Sequence, residues 1–266
     1  MTSAALSPDG REAAVNLVEG TKLQVWVLDL ARGARRLLVR NGDGAQPLWS
    51  RDGKFITYVG MRGDEHAIYR TRADGTGAEE SLVRVTRWTT PLDWSPDGRT
   101  LLYSEYTKRG DSDIWNYSGG KATPLLAGPF SEESASFSPD GRFIAFAADD
   151  GGASHVYIQA FPGPGPRVAV SIDEGGAPRW GADGRQIFYI GSRRRMVVDV
   201  NTDPVVRVGG PRPLSEQRDL VGKMPDSPDG RRFLSLTSRA QQGPLELRVI
   251  LNWFEELERL APHPRQ

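Results

Sequence analysis

The chain has 266 residues, 38% of them hydrophobic and 26% charged, and its 34 basic and 34 acidic side chains cancel. That balance excludes a disordered polyelectrolyte and argues against a general nucleic-acid binder, which needs excess positive charge against phosphates. With no cysteine, disulfides, thiolate metal sites and a cysteine nucleophile are excluded.

Read from the N-terminus, a four-residue element returns six times: Ser7-Pro8-Asp9-Gly10, Ser50-Arg51-Asp52-Gly53, Ser95-Pro96-Asp97-Gly98, Ser138-Pro139-Asp140-Gly141, Gly181-Ala182-Asp183-Gly184 and Ser227-Pro228-Asp229-Gly230. The repeat length is 43 to 46 residues. Trp49, Trp94, Phe137 and Trp180 precede four of the elements, Leu6 precedes the first, and Asp226 breaks the rule in the last. Serine accepts backbone bonds, proline fixes φ, aspartate suits the third position and glycine takes a positive φ, so the element predicts a tight turn between antiparallel strands.

The β-branched and aromatic runs after each turn predict second strands at 55–59, 100–103, 143–146, 186–190 and 232–236. Third strands follow at 25–28, 67–70, 113–116, 155–158, 196–199 and 245–249, with weaker fourth strands such as 36–39 and 81–84. Four short strands per repeat of this length predict an all-β, six-bladed β-propeller of four-stranded antiparallel blades. Its blades fall at about 3–44, 45–88, 89–131, 132–174, 175–220 and 221–252.

Residues 253–266 read as a short helix and tail, with Asn252 as N-cap, Glu255 at the capping-box position, and Trp253, Leu257 and Leu260 on one face. The last blade then lacks its fourth strand. The expectation is that the natural protein extends upstream to supply one, because propellers close by pairing strands from the two ends of the chain. No apolar run reaches the roughly 18 residues of a membrane span, and no basic-then-apolar signal segment opens the chain. As written, it is expected to be soluble and cytoplasmic, or extracytoplasmic if it belongs to a membrane-linked protein.

An aromatic followed by Ser-Pro-Asp-Gly and a β-run resembles the TolB-like, PD40-type (WD40-like) propellers, and the likeness covers nearly the whole chain. It is greatest to the C-terminal propellers of bacterial serine/threonine protein kinases. The residues that carry it run from Val156 through Tyr157, Gln159, Phe161 and Pro162 to Gly165, then Pro178-Arg179-Trp180, 198–204, and 251–257. The resemblance implies an extracytoplasmic sensor or interaction module. Kinase activity is not carried over, because the Gly-rich loop, H-R-D and D-F-G motifs are missing.

A search for chemistry finds little. There is no G-x-S-x-G elbow, and the only histidines are His66, His155 and His263, the first two at equivalent turn positions. Asp111 with Asp113, and Asp149 with Asp150, are acidic pairs without a full calcium ligand array. Arg193-Arg194-Arg195 reads as a charged hairpin tip. Arg62-Gly63-Asp64 and Arg109-Gly110-Asp111 are inter-strand turns of successive blades. No metal and no cofactor are expected, and the chain is expected not to be an enzyme. The expected function is binding of a protein or peptide; the alternatives are a small molecule in the central channel, an unrecognised channel enzyme, or a fragment without a role of its own. By register, the channel mouth should carry Gln46, Thr90, Glu133, Ser134, Arg179 and Lys223, polar and different in each blade.

Overall fold

The computed structural model of the protein describes residues 3–40, 42–149, 151–191 and 194–214, with the backbone of 233–235 and 248–250. Among these residues every regular element is a strand. The first sheet holds β1 (Ala4–Leu6), β2 (Glu12–Glu19), β3 (Lys22–Asp29) and β4 (Arg35–Leu37). The second holds β5 (Asp43–Trp49), β6 (Phe55–Arg62), β7 (Glu65–Arg72) and β8 (Glu80–Arg84). The third holds β9 (Thr89–Trp94), β10 (Thr100–Tyr106), β11 (Ser112–Ser118) and β12 (Lys121–Leu126). The fourth holds β13 (Glu132–Phe137), β14 (Phe143–Asp149), β15 (Ser154–Ala160) and β16 (Val168–Ala169).

In the fifth, β17 (Gly176–Trp180), β18 (Gln186–Gly191) and β19 (Arg194–Asn201) carry a split outer edge: β20 (Arg207–Val208) pairs the end of β19 and β21 (Arg212–Pro213) its beginning. A sixth sheet pairs β22 (Phe233–Ser235) with β23 (Arg248–Ile250). Within each of the first five sheets the main strands pair antiparallel in chain order. The innermost strands β1, β5, β9, β13 and β17 lie against one another in succession, and β22 lies against β1. This is a β-propeller. The predicted helix at 253–266, Lys223 and any fourth strand of the last blade lie outside the described residues.

The repeated element is the turn the sequence predicts. In the first sheet the Gly10 N–H donates to the Ser7 carbonyl at 2.8 Å, and Gly10 takes φ 70°. The Ser7 hydroxyl donates to Asp9 at 2.7 Å and accepts the Glu12 N–H at 2.9 Å. The same bonds recur at Ser50, Ser95 and Ser138. In the fifth sheet glycine replaces serine, and only the backbone bonds and the Asp183 cap remain.

The core is divided between the sheets. One cluster joins Val25 and Val27 to Trp49, Ile56 and Tyr58; the next joins Ile68 and Val83 to Trp94, Leu101 and Tyr103. A third joins Leu102 and Ile114 to Phe137, Ile144 and Phe146, and a fourth joins Val156 and Ile158 to Ile187, Tyr189 and Val198, with Trp180 packed against it. The aromatics before the turns therefore fill the seams between blades, which is what holds neighbouring sheets face to face.

Candidate functional site

Strand direction gives the propeller two unlike faces. The innermost strands begin on one, together with the turns between second and third strands; we term it the start face. The Ser-Pro-Asp-Gly turns and the turns between third and fourth strands lie on the other, the turn face. Seven large hydrophobic side chains are exposed among the described residues: Val18, Met61, Trp88, Tyr106, Phe130, Ile172 and Val205. The first six lie at the ends of second strands or in the connections that lead into innermost strands, and only Val205 belongs to the turn face. Single exposed apolar residues are ordinary; what sets these apart is that six of the seven share one face.

Trp88, at 56% exposure, stands just before β9, and its carbonyl accepts the N–H of Tyr106. Phe130 stands before β13, at 43% exposure, and Ile172 before β17, at 76%. Between the third and fourth blades, burial raises the pKa of Glu105, Asp113 and Glu132 above the ordinary carboxylate range. Neighbouring carboxylates add to this, while Arg87 opposes it at Glu105 and Asp113 and Arg167 opposes it at Glu132. Glu132 is buried, with Arg167 at 3.1 Å, and accepts the Gly128 N–H. It fixes the connection into β13, so that Phe130 and the exposed Glu133 are presented outward.

The residues predicted for the channel mouth divide. Gln46, Thr90, Glu133 and Ser134 lie in the starting half or the middle of their innermost strands, towards the start face. Thr90 is buried there, Glu133 is exposed, and Gln46 and Ser134 are half-buried. Gln46 (φ 55°) and Ser134 (φ 59°) occupy equivalent left-handed positions, with Ala177 (φ 51°) a third, where each innermost strand carries a bulge. Arg179 lies near the other end of β17, its Nη1 donating to the Pro178 carbonyl at 3.1 Å. Lys223 falls outside the described residues. Sequence reasoning missed Trp88, Phe130 and Ile172; the available signal was a large apolar residue between two strand runs, set among glycine and acidic residues at Phe130 and Ile172 and between Arg87 and Thr89 at Trp88.

Several sequence features resolve into structural roles. Arg62 pairs with Glu79 at 2.9 Å and covers the Tyr69 ring at 4.8 Å, which explains the Arg-Gly-Asp tripeptide locally. Asp149 accepts the N–H groups of Gly151 and Gly152. Arg194 and Arg195 belong to β19. On the turn face, a groove of about 760 Å³ opens between the fourth and fifth blades, lined by Trp180, Asp140, Arg142, Asp183, Gln186 and Asp199 among others.

No protein-family model matches the chain. An uncharacterized protein of Agrobacterium fabrum is 28% identical over 200 residues, which are 70% of this chain and 68% of that protein. The Tol-Pal system protein TolB of Anaeromyxobacter dehalogenans is 30% identical over 174 residues, which are 62% of this chain but 39% of that one. The crystal structure of TolB from Acinetobacter baumannii superimposes with a TM-score of 0.60 at 21% identity, over 82% of this chain and 55% of TolB. The fold is that of the TolB-like β-propellers.

Other similar proteins correct one expectation. Oligogalacturonate lyase matches with a TM-score of 0.61 at 16% identity, over 89% of this chain and 70% of the lyase. An uncharacterized peptidase of Bacillus subtilis is 30% identical over 118 residues, 41% of this chain and 18% of the peptidase. The expectation that the chain is not an enzyme does not stand, because related propellers belong to enzymes. The absence of catalytic motifs known from other folds does not decide the matter, because one fold can host sites of many unrelated functions.

Proposed function

We propose that this TolB-like propeller binds a protein or peptide on its start face, over the mouth where the innermost strands begin. The observation that carries the reading is the gathering of Val18, Met61, Trp88, Tyr106, Phe130 and Ile172 on that face, with Val205 alone on the other among the described residues. Large exposed aromatics rimmed by polar side chains are the composition of protein interfaces. One relative bears the name of a component of the Tol-Pal system, which accords with an interaction module.

The test is paired capture from native lysate on immobilised chain. One column carries the unchanged protein, a second the Trp88→Ala/Phe130→Ala/Ile172→Ala variant, and a third the turn-face variant Asp183→Asn/Arg185→Ala. A protein retained by the first and third columns and absent from the second supports the proposal. Retention lost only on the turn-face column would move the site to the groove between the fourth and fifth blades.

A further inference from the structure

The connections on either side of the fourth blade repeat one pattern. Residues 127–133 contain Phe130 followed by Glu132 and Glu133, and residues 171–177 contain Ile172 followed by Asp173 and Glu174; neither stretch holds a lysine or arginine. Phe130 and Ile172 are exposed, and so are Glu133, Asp173 and Glu174. Unlike Glu132, these three carboxylates have no hydrogen bond or ion pair among the described residues. Further out on the blades, the exposed Glu19 and Glu80 meet Arg35 and Arg70, and the half-buried Glu65 meets Arg84.

Two apolar side chains beside three exposed carboxylates have as their electrostatic complement a cation held next to apolar groups, although the basic start of β19 (Arg194, Arg195) borders the second connection on the same face. Resting on the start-face reading above, we propose that the mouth flanking the fourth blade docks a protein segment that carries lysine or arginine next to apolar side chains. Phe130 and Ile172 take the apolar side chains. Glu133, Asp173 and Glu174 take the cations.

The probe is a fluorescein-labelled peptide alternating lysine and leucine, compared by fluorescence anisotropy with the same peptide carrying glutamate for lysine. The proposal expects saturable binding of the lysine peptide alone, weakened about tenfold or more by Glu133→Gln/Asp173→Asn/Glu174→Gln. The outer-rim control Glu19→Gln/Glu65→Gln/Glu80→Gln makes the same change in net charge and is expected to bind unchanged. Phe130→Ala/Ile172→Ala is expected to weaken binding as well. Equal loss in both carboxylate variants, no loss in the first, or no binding of the lysine peptide overturns the proposal. If both peptides bind equally and both are lost on Phe130→Ala/Ile172→Ala, the charge preference fails while the start-face reading survives. Binding that no start-face variant changes removes both.

Discussion

Asp93 shows how one carboxylate ties three blades together. Three of the repeated glycines face a proline of the preceding turn: a methyl on Gly53 would stand 3.6 Å from Pro8, one on Gly141 3.3 Å from Pro96, and one on Gly184 3.6 Å from Pro139. Gly98 has no such neighbour, because Arg51 replaces proline in the second turn. Arg51 instead reaches forward, donating to the Trp94 carbonyl at 3.1 Å and to Asp93 at 2.6 Å, and the same Asp93 oxygen accepts the Phe137 N–H of the fourth blade at 2.9 Å. Asp93→Ala leaves that N–H without an acceptor, so a loss of about 1–3 kcal/mol is expected in urea unfolding. Asp93→Asn, which keeps an acceptor oxygen, is expected to lose less. The substitution at position 51 was visible in the repeat, but its consequence was not, since it depends on a side chain of another blade brought near only by the ring.

At the scale of the element, the blade repeat was legible because turn chemistry and strand periodicity recur together. The predicted runs at 55–59, 100–103, 143–146 and 186–190 fall within β6, β10, β14 and β18. The split outer edge of the fifth blade was not legible, because two-residue strands leave no periodicity to read. Equivalent tryptophans also differ in what they bond. Trp94 donates to Thr57 of the preceding blade at 3.0 Å and Trp49 to the Ala5 carbonyl at 3.0 Å. The buried Nε1 of Trp180 has no partner among the described residues, since Ala145 stands in the fourth blade where Thr57 stands in the second. Replacing each tryptophan with phenylalanine removes similar packing but an unlike N–H. Trp94→Phe is expected to lower the denaturation midpoint by more than Trp180→Phe, the difference reflecting about 1 kcal/mol for the lost hydrogen bond. Equal midpoints would contradict the assigned bonding.

For the molecule as a whole, the turns set the response to acid. Asp52 and Asp97 are held below the ordinary carboxylate range by the hydroxyls of Ser50 and Ser95 and by backbone N–H groups. A depressed folded pKa contributes stability that is present above the unfolded pKa and lost as pH falls through the folded one. Glu105, Asp113 and Glu132 act in the opposite sense: ionised they oppose folding, and protonation on acidification relieves that. The melting temperature is therefore expected to fall below about pH 4, and to fall less steeply in Asp52→Asn/Asp97→Asn. The two-faced distribution of exposed apolar side chains was the part of the candidate site least legible in sequence. Strand ends such as Val18, Met61 and Tyr106 read as ordinary strand residues until their exposure is known.

The central claim, that partners dock on the start face, is tested most directly by hydrogen–deuterium exchange of the chain with and without the protein it captures. Protection confined to residues 85–89, 127–133 and 171–175 is the predicted result. Protection of 138–142 and 183–186, with those three connections unchanged, would contradict it and place the partner on the turn face.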